Sequence, residues 1–169
     1  VLPLQHLVQL YCAPSSETTR LRSISQVHSV SLLATSCYKL AMTEEISFYE
    51  RIGGHQVFEN LASHFYALVT QDSILRPMYP KEDLGAAARR LMLFLEQYWG
   101  GPKTYGEERG HPRLRMRHVD FHIDSAAWDA WLRCMKSAVD EIEAEQALKD
   151  ELWSYFEGAA QFLVNQADK

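Results

Sequence analysis

The residue types that bind metals and anions are concentrated in one short stretch, HPRLRMRHVDFHI, which runs from His111 to Ile123. This stretch holds three histidines and three arginines, although the formal net charge of the chain is -5. Histidine is the commonest metal ligand. Arginine is a preferred partner of carboxylates, because its planar guanidinium donates two parallel hydrogen bonds. The stretch therefore indicates a site that holds a metal and carboxylate groups together.

Haem is one ligand that carries both, since it offers iron to His118 and propionates to nearby arginines. The candidate arginines are Arg89, Arg90, Arg109, Arg113, Arg115 and Arg117. Two ordinary structural interpretations compete with this one. A lone histidine is more often held in the core by a backbone carbonyl than bound to a metal. Arginines often lie on a solvated face, here near Glu107 and Glu108.

A metal site without haem is an alternative, because His118 and His122 have the i, i+4 spacing that places two imidazoles on one helix face. Asp120 and Asp124 can supply the carboxylate that such a site needs. Against this alternative, the arginines would repel a divalent cation, and the chain has no HExxH motif. A third class, a helical interaction module without a cofactor, would require the same residues to serve only packing and solvation.

The bulk composition is that of an ordinary globular protein, with 47% hydrophobic and 23% charged residues in a chain of 169. No apolar run reaches the roughly 18 residues of a membrane span. Nucleic acid is disfavoured as the main partner, because phosphate binding needs a broad basic face and this chain is acidic. Three widely spaced cysteines (Cys12, Cys37 and Cys134) favour a reducing compartment, so we predict a cytoplasmic protein.

Residues 1–41 differ from the remainder of the chain, since they are rich in Ser and Thr, poor in acidic residues and without a clear helical pattern. Three interpretations stay open, namely a targeting segment, a translated leader and a disordered tail. Met42 is a natural start for the folded part. We therefore predict a leader or tail over residues 1–41, with little function, and one domain over residues 42–169.

Helical periodicity dominates the predicted domain, and no alternating β pattern or internal repeat is present. Four long helices are predicted, with apolar faces that include Phe58 to Val69, Leu84 to Tyr98, Ala127 to Val139 and Leu148 to Leu163. Asp124 or Ser125 can cap the third of them. Residues 101–112 are predicted to form a loop, followed by a short helix that begins at Pro112 and runs through His118. The predicted class is all-α.

Aromatic residues on separate predicted helices can line an apolar slot that faces this short helix. They are Phe65, Tyr66, Tyr79, Phe94, Tyr98 and Trp131. Any one of them is more often a core residue, but buried tyrosine and tryptophan normally find a hydrogen-bond partner. Several phenols and an indole on different elements therefore favour a ligand pocket with a few polar groups.

Six motifs in this order resemble the group II truncated haemoglobins, often called haemoglobin O. They are SFYERIGG, HFYALV, LRPMYP, FLEQYWGGPKTY, RGHPRLRMRH and AWLRCM, which lie between Ser47 and Met135, and the resemblance covers residues 47–166. The resemblance implies a globin-like, two-on-two helical sandwich around a b-type haem, with His118 as the proximal iron ligand. The residues then expected to contact haem are Tyr66, Tyr79, Arg90, Leu91, Phe94, Tyr98, Arg113, Met116, Arg117, His118, Phe121 and Trp131.

The resemblance also places Tyr66, Tyr79 and Trp131 on the distal side of the haem. Ala87, one helical turn before Leu91, matches the position where many globins carry a distal histidine, and it has no side-chain donor. Ligand stabilisation would then depend on the phenols and the indole. The chain departs from many relatives at Asp120, where they have a proline, so the details of this loop are open. His122 can reach a propionate or solvent.

The expected function is reversible binding of dioxygen and other diatomic ligands at a histidine-ligated haem iron. The resemblance also allows peroxide or nitric oxide turnover, which would require an electron donor that the sequence does not identify. The oligomeric state is left open, a homodimer included. The alternative is a helical protein that binds a non-haem metal through His118 and His122.

Overall fold

Residues 46–79 and 83–167 are described by the computed structural model, and every regular element in these ranges is a helix, with no strand among them. This confirms the predicted all-α class. The prediction for residues 1–41 lies outside the described residues. The α helices of these ranges are α1 (Phe48–Ile52), α2 (Gly54–Val69), α3 (Leu84–Tyr98), α4 (Thr104–Arg109), α5 (Leu114–Arg117), α6 (Ser125–Glu141) and α7 (Gln146–Leu163), with a 3-10 helix at Arg76–Met78.

Local hydrogen bonds fix where two of these helices begin. Ser47 accepts from the backbone N–H of Glu50 at 3.2 Å, and the Glu50 carboxylate accepts in return from the Ser47 N–H at 3.1 Å. This reciprocal pair satisfies two backbone donors at the start of α1. Asp124 caps α6 by accepting from the Ala127 N–H at 3.0 Å, as the sequence predicts.

The long helices form two contacting pairs, because α2 packs against α3 and α6 packs against α7, with α2 also contacting α6. Their apolar faces meet in one core, whose largest fully buried members are Phe58, Leu61, Phe65, Val69, Leu95, Met135, Val139, Leu152 and Phe156. Burial of these faces supplies most of the helical stability, since isolated helices of this length are marginal in water. No helix of the described residues is long and apolar enough to cross a membrane.

The connection after α3 is ordered by its tertiary contacts. A loop prediction for residues 101–112 is wrong in part, because α4 occupies Thr104–Arg109. Tyr105 is buried at 5% exposure, and the Gln97 side chain accepts from the Gly106 N–H at 2.7 Å. Anchoring by a buried ring and a side chain of α3 stabilises a six-residue helix that its own sequence does not favour.

Helix α5 is shorter than the sequence predicts, since it begins at Leu114 and not at Pro112. Arg113 precedes it in a left-handed conformation with φ 44°, which a helix interior does not allow. His118 is the C-cap of α5, and His122 follows in the loop before α6. The two histidines therefore do not share a helix face.

Candidate functional site

A cavity of about 650 Å³ lies among α2, α3, α5, α6 and α7. This volume is in the range of about 300–1,000 Å³ that small-molecule and cofactor sites occupy. More than half of its lining residues are apolar, and twelve of the 28 have a polar side-chain group. These are Tyr66, Tyr79, Asp83, Arg90, Tyr105, Arg109, Arg117, His118, Asp120, Trp128, Trp131 and Tyr155.

His118 lines the cavity from the end of α5, and its ring has a defined hydrogen bond. Its Nδ1 lies 2.7 Å from the carbonyl oxygen of Leu114. Because a carbonyl can only accept, Nδ1 must carry the proton, and in the neutral ring Nε2 keeps its lone pair. A backbone carbonyl that fixes the tautomer in this way is the usual partner of a histidine that binds a metal through its other nitrogen.

The loop that follows His118 is held by Asn165, from the chain segment after α7. The Asn165 amide donates to the carbonyl oxygens of His118 at 3.2 Å and Phe121 at 2.9 Å. Its side-chain oxygen accepts from the Ile123 N–H at 3.1 Å, and its own backbone N–H donates to the Ile123 carbonyl at 3.0 Å. One side chain therefore satisfies three backbone groups between the histidine and α6.

Two arginines reach the cavity with different hydrogen-bond partners. Arg90 binds Asp83 through both terminal nitrogens, at 2.7 and 3.4 Å, and this hydrogen bond lowers the pKa of the Asp83 carboxyl. Arg117 donates to the carbonyl oxygens of Pro112 at 2.8 Å and Arg109 at 3.0 Å. These bonds use Nε and Nη2 of Arg117, so its Nη1 is left to donate to a carboxylate.

Aromatic residues of the lining supply further hydrogen-bond donors to the cavity. The rings of Tyr66 and Tyr79 are 5.5 Å apart and nearly perpendicular, and the two side chains share a hydrogen bond. Burial raises the pKa of both phenols, so both are protonated at neutral pH. Trp131 also lines the cavity, and its ring lies 5.4 Å from the ring of Phe65. Phenols and indole can all donate to a bound ligand.

Ala87 and Leu91 line the cavity from one face of α3 and offer no side-chain donor. Ala87 is buried at 4% exposure. Any polar side-chain stabilisation of a ligand beside this part of α3 must come from other elements.

The sequence-predicted residues are mostly brought to this one cavity. Those that line it are Tyr66, Tyr79, Arg90, Leu91, Phe94, Met116, Arg117, His118, Phe121 and Trp131. Tyr98 and Arg113 are outside the lining. The Tyr98 ring packs against that of Tyr155 with centroids 4.3 Å apart, and the backbone N–H of Arg113 donates to His111. Arg89 is also elsewhere and forms two hydrogen bonds of 2.6 Å with Glu108, which fits the solvated-face interpretation.

Several lining residues are absent from the sequence-predicted set. Helix α7 contributes a surface of aromatic and small residues, Tyr155, Phe156, Ala159, Ala160 and Leu163. The small residues of the GAAQ segment were a usable signal, because small side chains leave room beside a helix. Trp128 also lines the cavity, and its buried indole N–H has no acceptor among the described residues.

The non-haem alternative lacks a complete ligand set in the described part of the chain. No group of three or more His, Cys, Asp or Glu residues there is arranged to hold a metal ion. His122 is exposed and lies 3.4 Å from Asp124, which caps α6.

Haem fits the groups that the cavity presents. It needs a neutral imidazole with a free nitrogen, cationic donors for two carboxylates and apolar walls, and His118, Arg117 and the lining supply them. The unpartnered indole N–H of Trp128 is an additional donor that a bound group with an acceptor would satisfy, since a buried donor without a partner costs about 1–3 kcal/mol.

Comparison with known proteins gives one consistent result. The profile of the bacterial-like globin family matches residues 47–165. The group 2 truncated haemoglobin YjbI of Bacillus subtilis is 42% identical over 120 residues, which is 71% of this chain and 89% of that protein.

Two solved structures extend this similarity to the fold. A thermostable haemoglobin from the actinobacterium Thermobifida fusca has a TM-score of 0.70 at 52% identity, covering 71% of this chain and 98% of that one. A truncated oxygen-avid haemoglobin from Bacillus subtilis has a TM-score of 0.66 at 41% identity, covering 70% and 99%.

Proposed function

Because the chain belongs to the bacterial-like globin family, and within it to the group II truncated haemoglobins, we propose that it holds a b-type haem through His118 and binds dioxygen reversibly. The observation that carries this proposal is the 2.7 Å hydrogen bond from His118 Nδ1 to the Leu114 carbonyl. It leaves Nε2 as the only ring nitrogen with a lone pair, on a residue that lines a cofactor-sized cavity.

Different residues of the cavity would have different roles in binding the haem. Haem supplies the iron to which a diatomic ligand binds. Arg117 and Arg109 line the cavity and can bind propionates, while Arg90, which also lines it, is held by Asp83. Tyr98 and Arg113 are given no haem contact, since neither lines the cavity.

Tyr66, Tyr79 and Trp131 are proposed to retain the bound ligand. Dioxygen bound at a ferrous haem would carry partial negative charge, which the neutral O–H and N–H donors of these side chains would stabilise. A net hydrogen bond of about 1–1.5 kcal/mol changes a dissociation equilibrium about tenfold. The oxygen-avid relative from Bacillus subtilis supports dioxygen as the ligand. We also propose a cytoplasmic location, which the free thiol of Cys134 supports.

Spectroscopy of the haem-reconstituted protein tests the iron ligand. The wild-type protein should show a histidine-ligated ferrous spectrum, and His118→Ala should lose it because His118 is the one histidine of the described residues that lines the cavity. Added free imidazole should restore the spectrum, which separates ligand loss from misfolding. His111→Ala and His122→Ala are the matched controls and should behave as the wild type. A normal histidine-ligated spectrum in His118→Ala without imidazole would refute the assignment.

A further inference from the structure

The segment from Arg109 to Val119 is strongly cationic, with four arginines and no acidic residue. Elsewhere in the described residues, several arginines pair with carboxylates, namely Arg51, Arg89, Arg90 and Arg133. Arg113 and Arg115 differ, since neither has a carboxylate within 4.0 Å among the described residues. Neither lines the large cavity, so the proposed haem site does not account for their charge.

Apolar side chains are exposed beside Arg115, and Arg113 lies in the same short segment of the chain. Met116 and Val119 are each 67% exposed, and Phe162 is 53% exposed. The Arg115 guanidinium lies 4.8 Å from the centre of the Phe162 ring, and Arg115 and Val119 line the same shallow groove. We define Arg113, Arg115, Met116, Val119 and Phe162 as the proximal patch. Apolar residues rimmed by charge are the usual composition of a protein-binding surface.

Met116 connects this surface to the proposed haem. It lines the large cavity and is also one of the most exposed apolar side chains of the described residues. The proximal patch also lies on the element that ends in His118. A protein that contacts Met116 is therefore separated from the cavity by a single side chain.

We propose that the proximal patch docks a small acidic electron-carrier protein, which reduces the haem iron. This inference rests on the proposed function, because it requires haem in the cavity. One electron passes from the reduced centre of the carrier to ferric iron, giving ferrous iron and the oxidised carrier, and no bond forms or breaks. Transient electron-transfer complexes have small interfaces, which is consistent with a patch of five residues.

The charge distribution favours an acidic protein over other occupants. Without the four arginines of this segment, the chain has 13 basic against 22 acidic residues, so the remaining surface repels nucleic acid. A symmetric dimer through the patch would place Arg113 and Arg115 against the same residues of the second copy, because a two-fold interface pairs a surface with itself. An acidic carrier is attracted to this cationic segment and is oriented by the net negative charge of the rest of the chain.

The test measures reduction of the haem-loaded ferric protein by a reduced, acidic plant-type [2Fe–2S] ferredoxin in a stopped-flow experiment. At about 10 mM salt, the double variant Arg113→Asn, Arg115→Gln should lower the second-order rate constant about tenfold, and the difference should vanish near 1 M salt. Asparagine is chosen for residue 113 because it tolerates the left-handed conformation there. Calorimetric titration with oxidised ferredoxin should show a comparable loss of affinity, independent of any turnover.

Three controls isolate docking from other effects. The double variant Arg113→Lys, Arg115→Lys keeps the charge and should keep the rate within about twofold, since steering depends on charge. Arg51→Gln removes a cation from α1, away from the patch, and should also stay within about twofold. Reduction by a neutral, photogenerated deazaflavin radical should be equal in all variants, because it needs no docking.

Each adverse outcome has a distinct meaning. Equal ferredoxin rates and affinities in the wild type and the charge-removing variant would overturn the proposal, as would a wild type that ferredoxin does not reduce. A change of oligomeric state in that variant, measured by sedimentation, would identify the patch as a self-interface and also overturn it. Failure of the wild type to give a histidine-ligated haem spectrum, recorded before ferredoxin is added, would instead refute the proposed function.

Discussion

Replacing Asn165 by alanine should weaken haem binding, although Asn165 is exposed and does not line the large cavity. The substitution removes the two hydrogen bonds to the His118 and Phe121 carbonyls and the one from the Ile123 N–H. The backbone bond from Asn165 to Ile123 is independent of the side chain and should persist. The variant therefore loosens the loop after His118 without removing a cavity residue.

The magnitude follows from these three bonds. Each net intramolecular hydrogen bond is worth about 0.5–1.5 kcal/mol, and exposure to water favours the lower end. A total of about 1.5–3 kcal/mol corresponds to a haem dissociation rate about 10- to 150-fold higher, if the whole loss falls on the bound state.

Haem transfer to an excess of an apoglobin acceptor measures this dissociation rate directly, and resonance Raman spectra of the iron–histidine stretch report the orientation of His118. Asn165→Asp should be impaired like the alanine variant, because a carboxylate cannot donate to two carbonyls. Gln161→Ala, an exposed position on α7, is the matched control. Unchanged haem loss and an unchanged iron–histidine stretch in Asn165→Ala would show that this clamp does not position the histidine.

Trp131→Phe keeps a ring in the cavity and removes the indole donor, so the dioxygen off-rate measured by stopped flow should rise about tenfold for a net bond of ~1.4 kcal/mol; an unchanged off-rate would exclude control by this donor. Burial raises the pKa of Tyr66 and Tyr79 in the folded chain, so their contribution to the free energy of unfolding is complete below the unfolded pKa of about 10 and declines as pH rises above it. Alkaline denaturant titrations of Tyr66→Phe, Tyr79→Phe should accordingly show a weaker loss of stability above pH 10 than the wild type, and identical curves would contradict the assigned shifts.

The long helices were predictable because each carries enough apolar periodicity to identify its buried face. Asp124 was predictable as a cap because its side chain acts within its own turn. Helix α4 was not, since its six residues include Gly106 and depend on Gln97 and the burial of Tyr105. Local patterns describe contacts between neighbours in the sequence, and α4 is stabilised by contacts across the fold.

The residues of the site were also predictable only in part. A histidine among arginines, facing phenols and an indole, led to six of the twelve polar residues that line the cavity, namely Tyr66, Tyr79, Arg90, Arg117, His118 and Trp131. The sequence did not reveal that the left-handed backbone at Arg113 precedes α5, or that Asn165 holds a loop more than 40 residues earlier in the chain. The sequence also did not distinguish Trp128 from the other residues of its helix, because the absence of an acceptor for its indole is a property of the folded chain only.

The position of the cavity links ligand binding to the stability of the fold. Its lining comes from both pairs of long helices, and the buried rings of Phe65 and Phe156 belong to the core as well as to the cavity. A group that binds there only in the native state is linked to unfolding by mass action. Each tenfold rise in its free concentration above the dissociation constant adds about 1.4 kcal/mol to the free energy of unfolding. With haem as the proposed cofactor, the amount of folded protein in a cell should rise with the supply of free haem. The midpoint of thermal unfolding should likewise depend on haem concentration.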